Sequence, residues 1–173
     1  MVERFHNLKP LALSFVVILM STFYKSEAQA LSDEMIKQQI EAKVSDTSAL
    51  EGTQVRVYVE DGLVVLSGTA RLYEQKMTYE KIAWQTRGVA EVENEIRVIP
   101  KFSLNDIAIE RKIREIFKVY QRLDRAQLTV IVKDGAVVLQ GIFEHPRNVL
   151  FLKHKVAEIE GVISVEIQAS FIV

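Results

Sequence analysis

The chain has 173 residues, 49% of them hydrophobic and 26% charged, with a formal net charge of −1. That balance excludes a disordered chain, and it lacks the positive excess on which general nucleic-acid binding depends. There is no cysteine, which excludes disulfides, thiolate metal sites and cysteine nucleophiles, and leaves nothing to carry a bacterial lipid anchor.

The first thirty residues have a pattern of their own. Arg4 and Lys9 give a positive start, Leu11 to Met20 is a compact apolar run, and Ala28-Gln29-Ala30 closes a more polar stretch. These are the three parts of a secretory signal peptide, and the apolar run is short of the ~20 residues a spanning helix needs. Residues 1–30 are thus expected to be a cleavable leader into the periplasm, with Leu31 as the first mature residue and no lipoprotein anchor. Lys25 and Glu27 are uncommon so close to a cleavage site, which keeps an uncleaved inner-membrane anchor as the other reading.

Shifted by 73 residues against itself, the rest of the chain overlays 33–100 on 106–173 without a gap, and 18 of those 68 positions are identical. A duplication follows, with units at 31–100 and 101–173. The matches include Asp33/Asp106, Ile36/Ile109, Ile40/Ile113, Val57/Val130 and Val59/Val132. They continue through the paired hairpins and through Gly88-Val89 with Gly161-Val162.

Each unit reads in the same order. A helix with Ile36, Ile40 and Val44 on one stripe (Ile109, Ile113, Ile116, Phe117 and Tyr120 in the second unit) comes first. A strand with Val55, Val57 and Val59 inward then turns at Asp61-Gly62, or Asp134-Gly135, where both residues tolerate positive φ. The return strand is expected to end at Gly68, or Gly141. A second helix over about 72–87 places Gly88, or Gly161, at a left-handed C-cap. In the last strand, 91–98, Val92, Ile96 and Val98 face in while Glu93, Glu95 and Arg97 face out. The expected fold class is α+β: two tandem αββαβ domains, each a small three-stranded mixed sheet with two helices packed on one face. The link Pro100–Asn105 is too short for free tumbling, so the domains are expected to touch.

A search for chemistry finds little. His145 precedes Pro146 at a helix entry, and His154 lies between Lys153 and Lys155; neither has a second ligand at metal spacing. Gly62, Gly68 and Gly88 answer to a turn, a strand end and a helix cap rather than to a phosphate loop. Glu91, Glu93 and Glu95 alternate along one strand face, as a solvated surface requires. No catalytic residue, metal site or cofactor is expected, and the chain is not expected to be an enzyme.

Duplicated units share a core, so function belongs where their surfaces diverge. Residues 31–100 hold 8 basic and 12 acidic residues, whereas 101–173 hold 11 basic and 9 acidic. The second unit's excess lies on its first helix, where Ile107, Arg111, Arg114 and Lys118 line up opposite the core stripe. Arg122 and Arg125 continue that side if the helix runs on. The first unit has Glu34, Gln38, Glu41 and Ser45 there instead. The stripe has two readings: a solvated charged face with Glu110 and Glu115 nearby, or a face resting on anionic phospholipid. The second helices place Tyr73, Met77 and Trp84 on their outer side, with Leu150 and Phe151 in the second unit. Such side chains mark a contact, either between the repeats or with a partner. Trp84 and Met77 are expected to be covered by the second domain or by Phe102 and Leu104.

The αββαβ order, the D-G-x-V-x-L-x-G hairpin (Asp61 to Gly68, Asp134 to Gly141) and the G-V-x-x-V ending (Gly88 to Val92, Gly161 to Val165) resemble the BON domain, named for bacterial OsmY and nodulation proteins. A leader followed by two such units is similar to the dual-BON periplasmic proteins, across the whole mature chain. The resemblance implies a non-enzymatic envelope protein tied to osmotic stress tolerance or envelope integrity, with phospholipid binding in some members. It implies as partners an anionic membrane surface or envelope proteins. The alternative is a soluble periplasmic stress-induced interaction protein or holdase that binds no lipid. Some dual-BON members are lipoproteins, which a chain without cysteine cannot be.

Overall fold

The computed structural model describes residues 31–102, 104–120, 123 and 127–171. The leader pattern in 1–30 and the Arg122 and Arg125 extension of the basic stripe lie outside the described residues. The first domain runs α1 (Asp33–Ser45), a 3₁₀ turn (Ser48–Leu50), β1 (Gln54–Glu60), β2 (Leu63–Ala70), α2 (Tyr73–Trp84) and β3 (Glu91–Val98). The second runs α3 (Asp106–Val119), β4 (Gln127–Lys133), β5 (Ala136–Phe143), α4 (Pro146–Ala157) and β6 (Ser164–Phe171). In each sheet the strands stand in sequence order, the first pair antiparallel and the second parallel. This is the expected mixed sheet, in which the helix between the parallel strands makes the crossover.

Both helices of a domain cover one sheet face. Ile36 and Ile40 of α1 and Tyr79, Ile82 and Ala83 of α2 are buried with Val57, Val64, Leu66 and Ile96 from the strands. Leu50 and Leu123, identical under the repeat, are both buried just before the first strand of their domains. The other sheet face of the first domain is charged along β3, where Glu91, Glu93, Glu95 and Arg97 are exposed as their alternation predicts.

Asp33 and Asp106 explain their own repetition. Ser32 and Asn105 cap α1 and α3 by accepting from the Met35 and Ala108 amides, which places each aspartate in a helix first turn. The Asp33 carboxylate accepts from the Asp61 amide at 2.9 Å and the Gly62 amide at 3.0 Å. Asp106 repeats both bonds, at the same distances, with Asp134 and Gly135. Each first helix thus clamps the tip of its own hairpin across 28 residues of chain. Asp33→Ala leaves two turn amides with water alone and is expected to cost about 1–3 kcal/mol. A urea-denaturation midpoint unchanged by that substitution would remove the clamp from the account.

Three expectations need correcting. The second helix ends at Trp84 rather than near 87, because Thr86 turns its hydroxyl onto the Ile82 carbonyl and Lys43 takes the Gln85 carbonyl and the Thr86 hydroxyl. Gly88, at φ +94°, therefore serves the turn beyond the helix and not its C-cap. Gly68 does not end β2, which runs on to Ala70, and Gly141 likewise lies within β5. Trp84 is not covered: 52% of its surface is exposed, and Phe102 is exposed too. Met77 is half-buried.

The domains do touch, through Tyr73. This first residue of α2 packs against the second domain's core, which includes Ile109, Leu152, Val162 and Val165, and its hydroxyl lies near the Val165 backbone. Helices α2 and α4 meet alongside it. On the linker side Leu104 packs on the same core, and Glu160 accepts from the Phe102 amide at 3.1 Å. Tyr73 stands at the N-terminus of α2, so its ring reaches the neighbour while Trp84, eleven residues on, points to water.

Candidate functional site

Helix α3 carries the surface on which the domains differ most. Ile109 and Ile113 are buried and Ile116 and Phe117 half-buried on its inner side, which turns Ile107, Arg111, Arg114 and Lys118 outward. All four are exposed, Ile107 at 73%. Arg114 donates to the Glu110 carboxylate through Nε at 3.2 Å and also through Nη2. Among the described residues no ion pair restrains Arg111 or Lys118. An exposed i,i+4 pair such as Glu110–Arg114 is worth only ~0.3–0.5 kcal/mol, so Arg114 can exchange partners at little cost.

The stripe has a floor that spacing along a helix does not reveal. Between α3 and β4 lies a hollow of about 270 Å³, lined by Arg114, Phe117, Lys118, Leu128 and Val130. Two cations thus stand beside an apolar surface formed by one helix residue and two strand residues. The first domain has Glu41, Val44, Ser45, Val55 and Val57 at these positions, an apolar floor without the cations. Arg114 and Lys118 follow from helical spacing, but Leu128 and Val130 enter only through the pairing of β4 beneath the helix.

The outward apolar residues of the second helices separate into two kinds. Tyr73 is the interdomain contact described above. Phe151 lies against its own domain, edge-on to Tyr120 with ring centroids 4.9 Å apart. Trp84 and Leu150 remain exposed, Leu150 at 62%. His145 and His154 are exposed, and among the described residues no group of three histidine or acidic side chains is placed to hold a metal ion.

Gln75 and Asn94, which periodicity does not single out, are structural polar residues. Gln75 is buried, accepts from the Arg71 and Leu72 amides and donates to the Ala49 carbonyl. Asn94 donates to the Lys76 carbonyl and the Glu80 carboxylate.

The BON domain profile matches this chain twice, over residues 32–100 and 105–169. The chain belongs to the BON-domain family. A curated protein of Anaplasma centrale, described as an uncharacterized protein in the gshII 5′ region, is 28% identical over 120 residues, spanning 65% of this chain and 80% of that one. Two structures of CdsD, a structural protein of the type III secretion system of Chlamydia trachomatis, overlay with TM-scores of 0.34 and 0.35 at 14% identity. They cover 93% and 94% of this chain, and 76% and 80% of theirs, too loosely to bear on function. The basic stripe therefore lies on the first helix of the second BON domain.

Proposed function

We propose that this protein is a non-enzymatic envelope component, exported to the periplasm, whose second BON domain docks on anionic phospholipid. The observation that carries the reading is the Arg111/Arg114/Lys118 stripe with exposed Ile107 at its head and the apolar hollow of Phe117, Leu128 and Val130 beside it. Cations near an anionic bilayer each contribute about 1 kcal/mol, and an apolar tip inserted at the headgroup level adds to that. In this reading the first BON domain, acidic where the second is basic, supports the second and faces away from the lipid. A role in envelope integrity or osmotic stress tolerance accords with the family.

Co-sedimentation with phosphatidylglycerol vesicles at two salt concentrations tests the proposal. Binding is expected to be salt-sensitive, absent with phosphatidylcholine, and about a hundredfold weaker when Arg111, Arg114 and Lys118 are all changed to Ser, from about 3 kcal/mol lost. Equal binding to neutral vesicles, or an unaffected triple variant, would sink it. Exposed Trp84 and Leu150 favour a second reading, a soluble interaction protein or holdase. There the vesicles stay unbound at both salts, while suppression of client aggregation depends on those two side chains.

A further inference from the structure

We infer that the open sheet face of the first BON domain receives helix α3 of a second copy of this chain. The face is built in rows across the strands: Glu60, Leu63 and Glu91; then Tyr58, Val65 and Glu93; then Arg56, Ser67 and Glu95. Glu91, Glu93 and Glu95 form a rail of exposed carboxylates along β3, and among the described residues none is in an ion pair. Beside the rail runs an apolar strip of Leu63, Val65 and Tyr58, with Tyr58 56% exposed. The surface thus pairs an edge of three carboxylates, closed by Arg97 after Glu95, with an apolar centre that Arg56 bounds at the same end.

Helix α3 is its counterpart. Every second residue of a strand advances ~6.6 Å, which spaces the three carboxylates along about 13 Å. Arg111, Arg114 and Lys118 advance ~4.5 and ~6 Å along the helix axis, close enough for long, flexible side chains to reach the three carboxylates. Ile107 falls on the same side of the helix, one turn before Arg111, and extends the stripe past the end of the rail. The charge of the whole domains agrees, with 8 basic against 12 acidic residues over 31–100 and 11 against 9 over 101–173.

The contact must be made between chains. Helix α2, which brings the second domain to Tyr73, covers the opposite face of the first sheet from the glutamate rail. The chain's own α3 cannot reach that rail without breaking the Tyr73 contact, and Arg111 and Lys118 stand exposed accordingly. Two copies can exchange the contact reciprocally about a twofold axis, α3 of each on the first sheet of the other, which closes a dimer. The inference goes beyond the lipid reading and does not depend on it, although both engage the same helix.

Sedimentation velocity in the absence of lipid tests it, on protein purified as the expressing cell processes it. The wild type is expected to dimerise at low salt, with at least a tenfold weaker association at ~0.5 M salt, where charges are screened within a few ångströms. The charge-reversed variants Glu91→Lys/Glu93→Lys/Glu95→Lys and Arg111→Glu/Arg114→Glu/Lys118→Glu are each expected to be monomeric. Mixed in equal amounts they restore the dimer, since each then offers the other's complement. A wild type that stays monomeric at low salt overturns the inference whatever the variants do. So does self-association that persists in both variants, or a mixture that does not associate. Vesicle binding with no lipid-free dimer would leave the lipid reading standing and this one refuted.

Discussion

Gly68→Ala is expected to destabilise the first domain by about 3–5 kcal/mol, the largest effect of any single methyl added to it. Gly68 pairs with Val55 one step in from the open end of the β1–β2 ladder, at φ +134°, a conformation essentially closed to residues with a Cβ. A methyl built there would stand 2.0 Å from the Gln54 carbonyl oxygen, and that oxygen belongs to a strand backbone that cannot swing aside. The backbone cost and the clash arise at the same atom, so relieving one by shifting the strand breaks the ladder. The two hairpin tips allow an internal comparison. A methyl on Gly135 would lie 2.4 Å from the Gly161 oxygen, and one on Gly62 would lie 3.1 Å from the Gly88 oxygen, at the same φ of +78°. Gly135→Ala should therefore cost more than Gly62→Ala, although the two turns match in sequence. Urea midpoints of the three variants check the order, and a Gly68→Ala protein within about 1 kcal/mol of wild type would show that the strand pair yields.

What could be read in the sequence was whatever repeats at short range. Helical stripes such as Ile36/Ile40, strand alternation such as Val57/Val59 and the Asp-Gly turns place every described helix and strand of both domains, because each depends on near neighbours. The duplication doubled the signal, since a pattern present twice in register is not accident. Contacts across the fold left weaker traces. Asp33 and Asp106 stood out as identical, yet their grip on a hairpin 28 residues away depends on how α1 crosses the sheet. Gly68 marked a special backbone, but its place inside the ladder rather than at its end is set by pairing with β1.

The basic stripe was legible for the same reason as the core: it follows from helical period. The hollow beside it was not, since Leu128 and Val130 come from a strand after the helix. Trp84 shows the opposite error. Its size argued for burial, as a large aromatic gains most from being covered. Size does not decide which end of a helix faces the neighbouring domain, and Tyr73 at the other end takes the contact.

Tyr73 makes the coupling between the domains testable. Its ring adds to the second domain's core, while its hydroxyl lies near the backbone of Val165 in an edge strand of that domain's sheet. Truncation to alanine removes both, and a half-buried aromatic at such a position is expected to contribute about 2–3 kcal/mol. Tyr73→Ala should therefore turn a single unfolding transition into two, the domains melting separately. Tyr73→Phe keeps the ring and loses only the hydroxyl, and should keep one transition near the wild-type midpoint. Burial pushes the Tyr73 phenol above the usual tyrosine value near 10, with Glu80 adding to the rise and the Val165 hydrogen bond opposing it. Because the folded protein favours the neutral phenol, this stabilisation is complete below pH ~10 and is lost as the pH climbs through the raised folded value. Wild-type stability should thus fall above pH ~10 by more than that of Tyr73→Phe, which has no proton to lose there. Parallel alkaline profiles for the two proteins, or a Tyr73→Ala variant that still unfolds in one unshifted step, would mean that the domains are joined elsewhere.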